Sequence, residues 1–246
     1  MAGNLDDIAS VKAAVSGVHG VFYVTNYWEL FGRDPESALE REIAQGKAVA
    51  DASKTAGVQH VVFSSLDPVK EKIGKPCPHF DGKAVVEKYL DEIGVPNTSV
   101  RYAYYFDNFI AFFPPAKQDD GTYTLTMPMD GPMHAMAVAD GAHIVLAAFQ
   151  NPQEYLGKKI AMSGDKKTIA EYAAILSSVT GKTVKYIQVP FEQFRNQPNN
   201  PAAEDISAMF EYYSYGNPSY DLASTRKIYP GILNFQQWAE QNKERL

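Results

Sequence analysis

The chain has 246 residues, 45% of them hydrophobic and 21% charged, with a net charge of −6. A chain of this length buries a sizeable core, and its acidic balance leaves no excess of Lys and Arg to cover phosphates, which argues against direct nucleic-acid binding. The single cysteine, Cys77, rules out an intrachain disulfide framework and a cysteine zinc site, and no apolar run reaches the ~18 residues of a membrane span. The segment Ala2-Gly3-Asn4-Leu5 after Met1 reads as neither signal nor transit peptide, so an intracellular setting is expected.

In chain order, the acidic run Asp6-Asp7 leads into a short helix over Ile8–Ser16, closed by Gly17. The run Gly20–Thr25 is rich in β-branched and aromatic residues and predicts a buried strand, with Asn26-Tyr27-Trp28 as a loop after it. A long helix is predicted over Glu36–Ala56, with a stripe of Leu39, Ile43, Ala44, Lys47, Ala48, Ala50 and Asp51, ended by Gly57. Val58–Ser65 is a second buried strand. A loop carrying Lys70, Lys72 and Lys75 leads to a helix over Phe80–Glu92, which Gly94-Val95-Pro96 stops before the strand Thr98–Tyr102. Strand, long helix, Gly, strand is the rhythm of a parallel sheet, and strands this apolar fit a sheet covered on both faces.

The second half is less regular. Gly121–Met127 alternates and reads as an exposed or edge strand; Val138–Phe149 reads as a helix, Lys159–Ser163 as a strand, Thr168–Thr180 as a helix capped by Gly181, and Thr183–Val189 as a strand. Asn196–Pro201 is a loop, and helices are expected over Asp205–Tyr215 and Phe235–Glu244. These elements predict a smaller lobe over the carboxyl edge of the sheet.

No Gly-x-Gly-x-x-Gly or Gly-x-x-Gly-x-x-Gly run, Walker loop, His-Glu-x-x-His, EF-hand loop or Gly-x-Ser-x-Gly elbow occurs in the sequence. A Tyr-x-x-x-Lys pair would put a phenol and an ammonium on one helix face for proton transfer. Here the spacing to Lys83 is kept, but His79 stands in the tyrosine's place. His79 is read as a capping or packing residue, with proton donation as the alternative, and Lys83 as a ligand contact or a solvated surface lysine. Strand carboxyl ends face the ligand crevice of a doubly wound sheet, which singles out Thr25-Asn26-Tyr27, Ser64-Ser65 and Tyr105-Phe106-Asp107-Asn108. His19, His60 and His134 lack metal-ligand spacing and are read as structural. Tyr212, Tyr213, Tyr215 and Tyr220 are read as core or interface packing.

Val24-Thr25-Asn26-Tyr27-Trp28, Gln45-Gly46-Lys47, His60-Val61-Val62-Phe63-Ser64, His79-Phe80-Asp81-Gly82-Lys83 and Tyr105-Phe106-Asp107-Asn108 resemble the NmrA-like family across essentially the whole chain. That family is an atypical branch of the short-chain dehydrogenases. The resemblance implies an α/β fold: a Rossmann-like doubly wound parallel sheet over residues 1–150 with a smaller, interleaved C-terminal α/β lobe over 151–246. It implies a redox-responsive regulator that binds NADP(H) without dehydrogenase activity, acts through protein partners in the cytoplasm and nucleus, and is compatible with a homodimer. It places Asn4 and Leu5 near the adenine, and Thr25, Asn26, Tyr27, Lys83, Tyr105, Phe106, Asp107 and Asn108 along the cofactor. The alternative is an NAD(P)H-dependent reductase of the quinone or isoflavone reductase type, with Lys83 as its catalytic residue.

Two departures qualify the resemblance. Ala44 stands where a basic residue helps to hold the cofactor. Family members also begin with a strand, the glycine loop and a basic segment for the 2′-phosphate, whereas this sequence enters at Gly3-Asn4-Leu5-Asp6-Asp7, just after the second strand. The expectation is therefore an inherited site with weakened cofactor binding and an exposed strand edge.

Overall fold

The computed structural model describes residues 3–216 and 218–246, so the sequence reading at Met1 and Ala2 lies outside it. The chain runs α1 (Ile8–Val15), β1 (Gly20–Tyr23), α2 (Tyr27–Arg33), α3 (Ala38–Thr55), β2 (His60–Ser65), α4 (Val69–Ile73), α5 (Pro78–Glu92) and β3 (Asn97–Tyr102). It continues with β4 (Tyr104–Tyr105), α6 (Asn108–Ala111), β5 (Ala116–Lys117), β6 (Tyr123–Met127), β7 (Pro132–Met136), α7 (Asp140–Gln150), α8 (Pro152–Tyr155), β8 (Lys159–Met162), β9 (Asp165–Thr168), α9 (Ile169–Thr180) and β10 (Val184–Gln188). The last helices are α10 (Phe191–Arg195), α11 (Ala203–Tyr215), α12 (Leu222–Ile228) and α13 (Phe235–Gln241). Two compact units interleave along the chain: residues 3–71, 76–101 and 145–160 form the first, and 72–75, 102–144, 161–216 and 218–246 the second.

In the first unit, β1, β2 and β3 pair in parallel, with Gly20 opposite His60 and Val61 opposite Asn97, in the sheet order β1-β2-β3-β8. α1 starts where the Asp7 carboxylate accepts the N–H groups of Ala9 and Ser10, a cap worth about 1 kcal/mol. Gly57 follows α3 at φ 67°, a left-handed turn that a side chain would strain. Val11 and Val15 of α1, Val49 and Ala50 of α3, and Val86 and Leu90 of α5 close over Tyr23, Val61 and Phe63 in one apolar cluster.

The structure corrects four expectations. β2 is buried throughout and β3 at all but Arg101, but β1 is not a fully buried strand: it ends the sheet order, and Phe22 just inside it and Val24 just beyond it are 45% and 51% exposed. Asn26-Tyr27-Trp28 is not a loop. Asn26 caps α2 by accepting from the Glu29 N–H, an Asn-x-x-Glu signature of a helix start. The buried stripe of α3 is Ala38, Glu42, Gln45, Gly46, Val49, Ala50, Ala52 and Ser53, about one residue around the helix from the predicted face. Polar and small residues turn inward because α5 packs there. Finally, β6 is the central strand of the order β10-β6-β5, with Leu125 and Met127 fully buried, and not an edge.

Gly46 leaves no room for a side chain between α3 and α5: a Cβ there would lie 2.5 Å from Val86 Cγ2 and 2.8 Å from its Cγ1. Gly46→Ala therefore sets a helix-propensity gain of about 1 kcal/mol against an overpacking cost of about 1–3 kcal/mol. A rigid branched partner cannot swing aside, so the expected outcome is net destabilisation, read as a lower denaturant midpoint at unchanged m. Adding Val86→Ala should recover part of the loss.

The second unit holds the sheet β10-β6-β5 and the sheet β4-β7-β9, in which β4 is parallel and β9 antiparallel to β7. Its core is aromatic. Phe106, Phe109, Tyr172 and Phe235 are fully buried, and Trp238 stacks on Phe235 with ring centroids 5.5 Å apart. Tyr212, Tyr213 and Tyr220 are buried as packing residues, while Tyr215 is exposed.

Candidate functional site

At the carboxyl end of β1, three buried side chains from three segments meet. Thr25 lies two residues past the strand and is 2% exposed, Glu42 comes from α3 at 0%, and Lys83 from α5 at 9%. The Lys83 ammonium donates to the Thr25 carbonyl at 2.6 Å, to Thr25 Oγ1 at 2.9 Å and to Glu42 Oε1 at 2.8 Å. The Thr25 hydroxyl in turn donates to Glu42 Oε1 at 2.8 Å. An ammonium has three protons, so each has an acceptor inside the protein. Glu42 Oε2 is buried with no hydrogen-bond partner, and Gly82 makes room for it: a Cβ there would lie 2.6 Å from that oxygen. Burial pushes the Lys83 ammonium below the ordinary lysine range, and the Glu42 charge opposes that push.

His79, one turn before Lys83, is buried among rings, with centroids 4.8 Å from Trp28, 4.8 Å from Phe80 and 6.2 Å from Tyr27. It packs there with its Nδ1 3.7 Å from Cys77 Sγ and does not cap α5, whose start is instead held by the Asp81 carboxylate, which accepts the Cys77 N–H at 2.8 Å. Tyr27, expected along a ligand, is 4% exposed and packs with Leu30 and Ala38.

Beside this cluster a cavity of about 380 Å³ is lined by Asn4, Leu5, Asp6, Asn26, Glu29, Leu30, Arg33 and Gln45 among others. It therefore brings together three of the residues singled out from sequence: Asn4, Leu5 and Asn26. Its walls are fixed locally. Asp6 accepts from Gln45 Nε2 at 2.8 Å and from Arg41 Nη2 at 3.2 Å, and the Gln45 bond, then Arg41, hold its carboxyl below the usual range against the opposing effect of burial. Asn4 Oδ1 accepts the Asp6 N–H at 3.0 Å. Arg33 pairs with Glu29. Amide groups, two leucines and one paired cation suit a neutral heterocycle with its sugar, and the volume falls in the ~300–1,000 Å³ range of small-molecule sites. Asp6 and Glu29 against Arg33 leave the charged lining at −1, so these side chains do not grip a pyrophosphate.

Tyr105, Phe106, Asp107 and Asn108 belong to the second unit. The Phe106 ring is fully buried against Phe235 and Trp238, at 5.1 and 5.6 Å, and its N–H donates to the Met136 carbonyl, so both are committed to the fold. Asp107 Oδ2 accepts the Val138 N–H at 3.1 Å. Asn108 opens α6, and burial pushes the Tyr105 hydroxyl well above the tyrosine range. His60 and His134 are structural, held by Thr98 at 2.8 Å and Ser163 at 2.9 Å.

Sequence reasoning missed Glu42 and Arg33, and quoted Gln45 within a motif without giving it a role. For Glu42 a signal existed: it sits one turn from both Ala38 and Gly46, a carboxylate within a row of small residues.

A parallel sheet wrapped by helices, with its polar cluster and cavity at the carboxyl end of a strand, defines a Rossmann-type α/β protein. The chain belongs to the NmrA-like family, whose family model matches residues 1–239. It is 28% identical over 220 residues to the NmrA-like oxidoreductase FrzB of Cladobotryum sp, covering 81% of this chain and 65% of that relative. It is 34% identical over 161 residues to the nitrogen metabolite repression protein nmrA of Emericella nidulans, covering 61% of this chain and 45% of that relative. The chain thus spans less than two thirds of the length of either relative. Among solved structures it is similar to NmrA, a negative transcriptional regulator, in complex with NAD, at TM-score 0.81 and 24% identity over 98% of this chain and 79% of that one. The complex of NmrA with NADP matches at TM-score 0.79 and 24% identity, with the same coverage. No helix of the described residues is long and apolar enough to cross a membrane.

Proposed function

We propose that this chain is an NADP(H)-binding regulator of the NmrA-like kind, without dehydrogenase chemistry of its own, whose cofactor state is passed to a protein partner. The observation that carries the reading is the amide-lined cavity at Asn4, Leu5 and Asn26, next in the chain to the Thr25–Lys83 contact. The residues fit the nucleoside half of a dinucleotide. Asn4, Leu5 and Asn26 would hold the adenosine, and the buried Thr25–Lys83 contact would fix the loop that carries Asn26. When bound, NADPH would supply a hydride equivalent. The non-catalytic part of the reading is supported by Lys83, whose three protons are spent internally, and by His79, enclosed by rings where a proton donor would stand. The 246 residues hold no Gly-x-x-Gly-x-x-Gly run, so this stretch offers no backbone cradle for a pyrophosphate, and binding by these residues alone is expected to be weak.

Calorimetric titration with NADPH tests this. Binding weaker than about 1 μM, reduced at least tenfold in Asn4→Leu or Lys83→Met, is the expected result; a tenfold loss corresponds to 1.4 kcal/mol. No binding at millimolar NADPH would overturn the cofactor reading, and submicromolar binding would overturn the weakness. A second reading, an NAD(P)H-dependent reductase using Lys83, is favoured by the likeness to FrzB, whose name is that of an oxidoreductase. Quinone-dependent NADPH oxidation that disappears in Lys83→Ala would establish it in place of the first.

A further inference from the structure

The least expected group in the first unit is Glu42. It is fully buried, one of its oxygens has no hydrogen-bond partner, and the neighbouring helix carries glycine where any side chain would strike it. A buried ion pair adds little to stability, because desolvation of both charges offsets their attraction, and an apolar pair of similar volume serves packing as well or better. An under-satisfied carboxylate costs more still. Packing therefore does not account for it, and its partner does: among the described residues Glu42 is the carboxylate that bonds the Lys83 ammonium.

We propose that Glu42 is a positioning residue of the nucleotide site, whose carboxylate keeps Lys83 protonated and holds it on Thr25 at the carboxyl end of β1. The proposal rests on the reading of that crevice as a nucleotide site. The ionisable groups of the packed elements that bond or pair do so with residues other than Lys83. On α3, Arg41 pairs with Asp6, Lys47 lies over the Tyr89 ring and Asp51 accepts from the Tyr89 hydroxyl. On α5, His79 is enclosed by rings and Glu87 is held by Arg101 and Lys159. The Tyr23 hydroxyl of β1 donates to the Gly46 carbonyl. Among the described residues Glu42 is thus the charged group that supports the Lys83 charge, while burial works to remove it. A neutral amine in that place would have two protons for three acceptors, and its hold on Thr25 would loosen.

Two measurements on the full chain decide the matter. The first follows the Lys83 side-chain nitrogen by NMR as pH rises, assigned by its loss in Lys83→Met. The expected result is that Lys83 in Glu42→Gln releases its proton at least about one pH unit below Lys83 of the parent protein, a tenfold change in the equilibrium. Identical titration in the two proteins overturns the proposal. Should Glu42→Gln not fold, the parent titration still decides it: a Lys83 that is already uncharged in neutral solution with Glu42 in place overturns the proposal. The second measurement is NADPH affinity against pH. The expected profile is flat for the parent, and for Glu42→Gln falls about tenfold per pH unit above the Lys83 titration. Parent-like affinity and profile in Glu42→Gln overturn the positioning role even where the titration has shifted. If the parent binds no NADPH at any pH, the nucleotide reading fails, and the NMR titration independently supports or overturns the hold of Glu42 on Lys83.

Discussion

Arg101→Ala should destabilise the protein by about 3–5 kcal/mol, the cost of stripping the partner from buried charges. Arg101 ends the first unit's share of β3, and its guanidinium lies between Asp67, 0% exposed, and Glu87, 2% exposed. It donates to Asp67 Oδ1 at 2.9 Å and to Glu87 Oε2 at 3.1 Å, with a second bond to Glu87 Oε1. Lys159 adds one contact to Glu87 at 3.0 Å. Without the guanidinium, Asp67 loses its cation and Glu87 keeps only the half-exposed lysine. Against a total stability of about 5–15 kcal/mol this is a large fraction. Arg101→Lys should recover little, because an ammonium cannot make the planar fork that spans two carboxylates. The loss should also depend on pH. Burial raises the Glu87 carboxyl, but Arg101 and then Lys159 pull it further down, to a net value below the ordinary 4.5. A carboxyl lowered on folding contributes stability that is complete above its unfolded value and disappears as pH falls through the folded value. The gap between parent and Arg101→Ala, from denaturant unfolding, should therefore be widest near pH 7 and narrow below about pH 4.5 as Glu87 takes up a proton. A gap that stays constant down to about pH 3 would assign the loss to packing of the arginine stem.

The parallel sheet was legible because its strongest strands are also its most regular. His60–Ser65 holds the apolar run Val61-Val62-Phe63, Asn97–Tyr102 is centred on small or β-branched Thr98-Ser99-Val100, and each strand is preceded by a helix that a glycine ends, at Gly57 and Gly94. Strands of two residues, such as β4 and β5, carry no periodicity to read. α2 was hidden because Tyr27 and Trp28 weigh like loop aromatics, although Asn26 and Glu29 already spelled a helix start. The face of α3 was misplaced for a physical reason. Hydrophobic pattern favours Leu39 and Ile43, yet the face turned to α5 carries Gly46, which has no room for a side chain beside Val86, and the fully buried carboxylate of Glu42. Small size and charge pairing, rather than hydrophobicity, decided that interface.

The candidate site divides in the same way. Resemblance places a residue along a ligand path without saying which way its side chain turns. Asn4, Leu5 and Asn26 do line a cavity, and Thr25 does meet Lys83. Tyr27 and Phe106 turn into cores. Glu42 lay outside the quoted motifs, and only the geometry shows that it is the counter-ion of the one lysine in the motif His79–Lys83.

Glu42→Ala and Lys83→Ala should each cost about 3–5 kcal/mol, because each strands the other's charge in a largely buried site. The double variant Glu42→Leu with Lys83→Met should not cost their sum. Replacing a buried ion pair by apolar groups of similar volume changes stability by between nothing and a gain of about 1–4 kcal/mol. Here the Thr25 carbonyl loses its donor at 2.6 Å, a buried acceptor left unpaired at a cost of about 1–3 kcal/mol. The two terms nearly cancel, so the double variant is expected within about 2 kcal/mol of the parent in denaturant unfolding, a non-additivity that neighbouring residues alone produce. Its NADPH affinity should nonetheless fall at least as far as that of Lys83→Met. A protein that regains its stability without regaining its ligand separates the two roles of the pair. If affinity returns together with stability, the ammonium serves only to neutralise Glu42, and the nucleotide contact lies elsewhere in the cavity, at Asn4 and Asn26.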